Sequence, residues 1–312
     1  MNQPALRIGV LGCAGIAWRR MLPSMLRQPL VRLTAVASRD AAKARRFAAE
    51  FGCEAVTGYE ALLAREDIDA VYLPLPPDLH VEWSVRALEA GKHVLCEKPF
   101  APSAAQARVA VQVARKRRLL LMESFMFLYH AQYTAILREI TSGAIGEPHV
   151  LTAEFGFPRL GSGDLASTLP EVAAYPVRAA QLFLGPELTV VGAKMEEAAG
   201  AALLCSPKSV MAQLAYGLDH SYRNYCALWG SEGRISLHRA YSTPDDYVPV
   251  VHLERGGRRE RLPLPADSQF TNVVGAFADA VACGQEFGLH ADAIIRQAEL
   301  VDRIIESANA SA

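Results

Sequence analysis

The stretch Val94-Leu95-Cys96-Glu97-Lys98-Pro99 sends a short apolar strand straight into an acid, an ammonium and a proline. A lysine at the carboxyl end of a buried parallel strand lies where open α/β sheets bind ligands, and a following proline stops the strand abruptly. Taken alone, the lysine is either a reaction-centre cation or a solvated strand end. The N-terminus favours the first. Leu6 to Leu11 is an apolar strand turning through Gly12-Cys13-Ala14-Gly15-Ile16-Ala17 into a helical stretch from Trp18 to Gln28. Gly12 permits a tight turn, Ala14 lets backbone approach a pyrophosphate, Ala17 allows close helix packing, and the helix N-terminus attracts phosphate. This is a Gly-x-Ala-x-x-Ala variant of the dinucleotide fingerprint, and Cys13 and Ile16 lie within it.

The second strand, Val31 to Ala37, ends in Ser38-Arg39 rather than in the acid that binds a ribose 2′-hydroxyl. Arg39, with Lys43 one turn into the next helix, suits a 2′-phosphate, so NADP(H) is expected over NAD(H). The alternative is that Arg39 only caps a sheet edge. Residues 1–46 carry nine Lys and Arg against Asp40 alone, a bias that fits a polyphosphate ligand.

These residues need a scaffold, and the pattern supplies one. Asp40 and Gly52 bound a helix, Ile68 to Leu73 reads as a buried strand breaking into Pro74-Leu75-Pro76-Pro77, and Asp78 is expected to cap the helix carrying His80. Ser103 with Gln106 opens a helix that ends in Arg115-Lys116-Arg117-Arg118. The expected fold is α/β, with a doubly wound parallel Rossmann sheet over 1–122. Residues 123–312 are expected to form an α+β substrate domain with a large, mostly antiparallel, open-faced sheet. Helices are expected at 127–142, 175–184 and 272–308, with the last able to pack back on the first domain and a cleft between the domains at Lys98.

Composition bounds the function. The chain has 312 residues, is 51% hydrophobic and carries a net charge of −1, which argues against nucleic acid as a general partner. No apolar run approaches the ~20 residues of a membrane helix and no leader is evident, so a cytoplasmic protein is expected. The six cysteines show no zinc spacing; no metal and no disulfide are expected.

Together with Met122-Glu123, Gly143-Ala144-Ile145-Gly146, Gly91-Lys92-His93 and Gly230-Ser231-Glu232-Gly233, these motifs closely resemble the Gfo/Idh/MocA oxidoreductases over nearly the whole chain. Cys13-Ala14, Met122 to Phe127, Tyr175 to Ala179 and Leu228 to Gly233 resemble the nucleotide-sugar C3 ketoreductases of bacterial deoxysugar pathways in particular. The resemblance implies that Lys98 lies by the nicotinamide and that Tyr175 handles the proton. It also implies that Gly12, Cys13, Ala14, Ile16, Ala17, Ser38, Arg39, Lys43, Pro74, Leu75, Pro76, His80, Glu97 and Lys98 surround the cofactor.

A free phenol, with a pKa of ~10, is a ready acid at neutral pH. Tyr175 is otherwise a core aromatic; with Pro176 in the first helical turn it would stand at a helix N-terminus. The family's usual Asp-x-Gly-x-His/Tyr run is absent before Tyr175, so a rebuilt loop from Arg159 to Ala174 is expected. Arg159, Glu171, Arg178, His220 and Tyr222 are candidate substrate contacts. The implied activity is NADPH-dependent reduction of the C3 keto group of a nucleotide-linked, dTDP-type keto-deoxysugar. The alternatives are NADP-dependent oxidation of a free sugar, polyol or dihydrodiol, or a non-catalytic NADP-binding regulator. A homo-oligomer, dimer or tetramer, is expected through the open sheet face. The Lys98-Pro99 peptide is expected to be cis.

Overall fold

The structure, a computed structural model, describes residues 4–158, 168–284 and 287–310. The chain divides into two compact units, 1–126 with 270–298, and 127–269 with 299–312.

In the first unit β1 (Leu6–Leu11) runs into the glycine turn, a π-helical turn at Ala17–Met21 leads into α1 (Leu22–Arg27), and β2 (Val31–Ser38) follows. The alternation continues through α2 (Ala41–Phe51), β3 (Glu54–Thr57), α3 (Tyr59–Leu63) and β4 (Ala70–Leu73). It closes with α4 (Pro77–Glu89), β5 (His93–Cys96), α5 (Ala104–Arg117) and β6 (Leu121–Glu123). All six strands are parallel, in the order β3-β2-β1-β4-β5-β6, which is the doubly wound Rossmann arrangement. Parallel strands covered on both faces need apolar side chains throughout, and Ala70 to Leu73 are all buried.

Local chemistry sets the helix ends. Asp40 accepts from the backbone N–H groups of Ala42 and Lys43, Gly52 closes α2 at φ 66°, and Ser103 accepts from Gln106 N at 3.4 Å. Asp78 is not the cap expected of it: Pro76 holds that position, Pro77 begins the helix, and Asp78 falls in the first turn. Of the basic run at 115–118, Arg115 pairs with Asp292.

The second unit opens with a 3-10 turn at Met126–Tyr129 and α6 (Ala131–Thr141), where one helix over 127–142 is the sequence expectation. His130 causes the break. Its backbone is extended, its Nδ1 accepts from Gln132 N at 3.1 Å, and Asp267 accepts from Ala131 N at 2.8 Å. Then come β7 (Pro148–Phe157), α7 (Leu169–Leu184), β8 (Thr189–Met195), β9 (Ala199–Cys205), β10 (Met211–Leu218) and β11 (Arg223–Gly230). The hairpin strands β12 (Gly233–His238), β13 (Val250–Arg255) and β14 (Arg258–Pro263) complete an eight-stranded sheet in the order β14-β13-β12-β11-β7-β10-β9-β8. Its pairs are antiparallel except β7 with β10. Two helices, α8 (Gln269–Cys283) and α9 (Phe287–Ala310), replace the single one expected over 272–308; Gly284, at φ 63°, ends the first, and the stretch 270–298 belongs to the first unit.

Helix α7 lies on β7, β9 and β10. The opposite face of that sheet presents Trp229, 62% exposed, and Val191, 58% exposed. Two of its turns form a clasp. Ser231 N donates to Glu147 O at 2.9 Å, Glu232 N to Ile145 O at 3.0 Å, and Glu147 N to Ser231 Oγ at 3.0 Å. A Cβ on Gly230 would strike the Ile145 carbonyl, and one on Gly146 would strike Ser231 Oγ, so the turns approach only because both positions are glycine.

Candidate active site

The first unit gathers a row of groups at the carboxyl ends of β1, β2, β4 and β5, which parallel pairing brings to one sheet edge. At the centre Gly12 has φ 121°, and its N–H donates to Ala37 O at 3.0 Å. A Cβ there would stand 2.7 Å from Leu75 Cδ2. The turn is therefore bare backbone walled by Leu75, a cradle that suits a pyrophosphate. Ala14 and Ile16 are half-buried beside it, and Ala17 is fully buried beneath. Cys13 turns its side chain inward: Sγ lies 3.8 Å from Ala37 O, and burial pushes the thiol to about 11, with Lys43 opposing. Its backbone, not its sulfur, is what a ligand would meet.

At the end of β2 the Ser38 hydroxyl accepts from Asp40 N at 3.1 Å, and Arg39 and Lys43 are exposed. Burial raises the Tyr59 phenol, while the Arg39 guanidinium beside it pulls the other way. Arg39 is thus held at the strand end by Tyr59, which packs edge-on against Trp83 at 4.9 Å. At the end of β4, Pro74 and Leu75 are buried and Pro76 is exposed.

Lys98 stands half-buried after β5, and the Lys98-Pro99 peptide is cis. The bend is braced on several sides. Tyr72 donates its hydroxyl to Glu97 Oε1 at 2.8 Å, the Phe100 N–H donates to Glu123 Oε1 at 2.8 Å, and His80 faces the Pro99 carbonyl at 2.8 Å. Burial raises the Glu97 carboxyl, and the Tyr72 bond partly offsets this. His80 corrects an expectation: it is 1% exposed with each ring nitrogen on a backbone carbonyl, so no polar atom remains for a cofactor.

The second unit, taken by itself, holds a cluster of rings. Tyr175, 7% exposed, lies 4.7 Å from Phe155, 5.8 Å from Tyr241 and 5.9 Å from Phe127, centroid to centroid. It is not at a helix N-terminus. Thr168 is the N-cap, Pro170 sits in the first turn, and Pro176 lies inside α7, so no helix-end dipole acts on Tyr175. The helix keeps Pro176 because its other positions, among them Val172, Ala173, Val177 and Ala180, are buried.

The expected substrate contacts scatter. Arg159 is outside the described residues. Glu171 accepts from Thr168 Oγ1 at 3.1 Å as part of the helix start. Arg178 donates to Gln181 at 3.3 Å and lies beside Tyr129, whose phenol burial pushes up to about 12. A Cβ on Gly217 would collide with the His220 ring. Gly217 shares register with Gly156 and alternates with Leu218 and Phe155, so His220 lies over the sheet face opposite Tyr175. Tyr222 stays with the cluster, since Asn224, opposite Phe155 in register, donates to its hydroxyl at 2.8 Å.

Residues 6–125 match the model of the Gfo/Idh/MocA oxidoreductase family, NAD-binding Rossmann fold. The dTDP-3,4-didehydro-2,6-dideoxy-alpha-D-glucose 3-reductase of Actinomadura kijaniata is 44% identical over 317 residues, covering 97% of this chain and 96% of that one. The chain belongs to the Gfo/Idh/MocA family. The enzyme of the same description from Saccharopolyspora spinosa is 45% identical, covering 97% of each chain. The solved 3-ketoreductase of Actinomadura kijaniata in complex with NADP and TDP-benzene has a TM-score of 0.93 at 44% identity, over 97% of this chain and 98% of that one.

Within this Gfo/Idh/MocA member, several groups beside the candidate residues escaped the sequence reading. Arg239 stands between two phenols, its guanidinium 5.5 Å from the Tyr222 ring and 5.6 Å from Tyr247, with its backbone at φ 60°. A Cβ on Gly15 would stand 2.9 Å from Arg19 Nη1, which puts that guanidinium over the glycine turn. Tyr72 reads as a strand residue and Glu123 only as part of the Met122-Glu123 motif, and the pairing of β4, β5 and β6 puts them behind Lys98.

Proposed function

We propose that this oxidoreductase uses NADPH to reduce the C3 keto group of a dTDP-linked keto-deoxyhexose. Full-length identity of 44% to a dTDP-3,4-didehydro-2,6-dideoxy-glucose 3-reductase carries the reading. The residues present fit the cofactor: Gly12 offers bare backbone to the pyrophosphate, and Ser38, Arg39 and Lys43 offer a hydroxyl and two cations to the 2′-phosphate. When bound, NADPH supplies a hydride to the C3 carbon.

The chain does the rest. As the hydride arrives, the carbonyl π pair moves to oxygen; the Lys98 ammonium opposes that charge, and the Tyr175 phenol gives its proton to complete the alcohol. Solvent reprotonates the phenolate. Tyr222, Arg239 and Tyr247 take the nucleotide end, with a ring for the base and a guanidinium for the diphosphate. Two further features belong to the same reading. The open sheet face, with Trp229 beside a depression of about 830 Å³, is the surface for a second copy of the chain. The free cysteines suit a reducing cytoplasm, and no described helix is long and apolar enough to cross a membrane.

The deciding experiment follows NADPH oxidation with a dTDP-linked 3-keto-deoxysugar generated in situ. Turnover that falls by about 10²- to 10⁴-fold in Tyr175→Phe supports the assignment. NADPH binding without turnover on any keto sugar ends it. For the assembly, Trp229→Glu should lower the oligomeric mass measured by light scattering, and a mass unchanged by the substitution removes that surface.

A further inference from the structure

The Pro99–Phe100 peptide lies immediately beyond Lys98, and side chains take both of its polar atoms. Its carbonyl oxygen is 2.8 Å from His80 Nδ1, and its N–H donates to Glu123 Oε1 at 2.8 Å. The second ring nitrogen of His80, Nε2, is 2.7 Å from the Leu75 carbonyl oxygen. A neutral imidazole has one N–H and one lone pair, and a carbonyl oxygen only accepts. A neutral ring would hold one carbonyl and set a lone pair against the other, in a place sealed from water. An imidazolium donates to both.

We propose that His80 is an imidazolium that positions Lys98, tying the Leu75 wall to the Pro99 carbonyl while Glu123 holds the other end of the same peptide. This rests on Lys98 being the ammonium of the reacting site. Burial, the largest influence, holds the ring below its ordinary histidine range and Lys98 acts with it, whereas the two carbonyls and Asp78 favour the charge. The peptide adds to the favourable side. In a trans peptide the C=O and N–H point in opposite directions, so a cation at the oxygen and a carboxylate at the nitrogen both align with its dipole and strengthen each other's bonds. Two carbonyl acceptors 2.8 and 2.7 Å from the two nitrogens of one ring nonetheless call for a proton on each, against the pull of burial. His80 contacts no ligand; it acts through the bend that aims the lysine.

The first test reads the ring nitrogen resonances of the ¹⁵N-labelled protein at pH 7, with His80 assigned by their loss in His80→Gln. Both nitrogens protonated is the expected result, and one bare nitrogen overturns the proposal. That spectrum is independent of turnover, so it separates this idea from the ketoreductase reading. In the NADPH assay, His80→Gln should lower kcat by about 10- to 100-fold, the effect of a misaimed group, with little change in KM for NADPH. Glu123→Gln keeps the bond to Phe100 and removes the charge, so the alkaline fall of kcat should move to lower pH. A profile that stays in place overturns the coupling, and this arm stands even where His80→Gln fails to fold.

Discussion

The two units present their candidate residues on different material. The nucleotide edge of the first is largely backbone: a glycine at φ 121°, a strand end and a cis X-Pro bend, each fixed by neighbours one strand away. The cluster around Tyr175 is all side chain, with Phe127, Phe155, Tyr175 and Tyr241 drawn from a 3-10 turn, a strand, a helix and a loop. A backbone site tolerates change in side chains so long as the turn survives. A side-chain site changes with each residue, and this is where substrate choice can diverge among proteins that share a cofactor.

That contrast makes graded predictions. Gly12→Val should hit hardest, since it puts a branched side chain at φ 121° against Leu75. It should abolish NADPH binding in a fluorescence titration and lower stability by about 1–3 kcal/mol. If Gly12→Val binds NADPH normally, the edge is not a backbone site. Arg39→Asp should come next, moving the NADPH-to-NADH ratio of kcat/KM by about 10- to 100-fold toward NADH; an unchanged ratio would refute the 2′-phosphate role.

Arg239→Gln should raise KM for the dTDP sugar by about tenfold and leave KM for NADPH alone, and equal effects on both would erase the division of labour between the units. The smallest effect is remote from chemistry. Arg7 holds the Asp69 carboxyl below its ordinary range, chiefly through their hydrogen bond, across a pair more than one-third exposed. A carboxyl depressed in the folded state adds stability above its unfolded value of about 3.9, and that stability is lost as pH falls through the folded value. Arg7→Gln should therefore lower stability slightly in urea melts at pH 7 and not at all near pH 2.

Sequence reading succeeded where the signal is local. The turn at Gly12, the Asp40 and Ser103 caps and the run into Lys98 announce themselves within a few residues, and they were enough to order a doubly wound sheet. It missed strands with little apolar content, such as the exposed edge strand β3 and the Arg-rich β14. It missed the true start of α7 because Pro176 looks like a helix opening while Thr168 and Pro170 supply the real one. Partners separated by long stretches of chain were beyond it: Tyr72 behind Glu97, Glu123 behind Phe100, and Arg239 between Tyr222 and Tyr247 carry no local mark.

The clasp between the turns at 143–146 and 230–233 bears on how this chain can be recombined. Each turn is shaped to the other's main chain, with glycine at the points of closest approach, and neither touches the residues proposed for chemistry. A chimera that takes only one of them from a related enzyme would set unmatched surfaces together and lose its fold before its specificity could be assayed. Crossovers meant to exchange substrate preference should therefore carry both turns as a single cassette, which leaves the loops around the tyrosine cluster as the segments free to be traded.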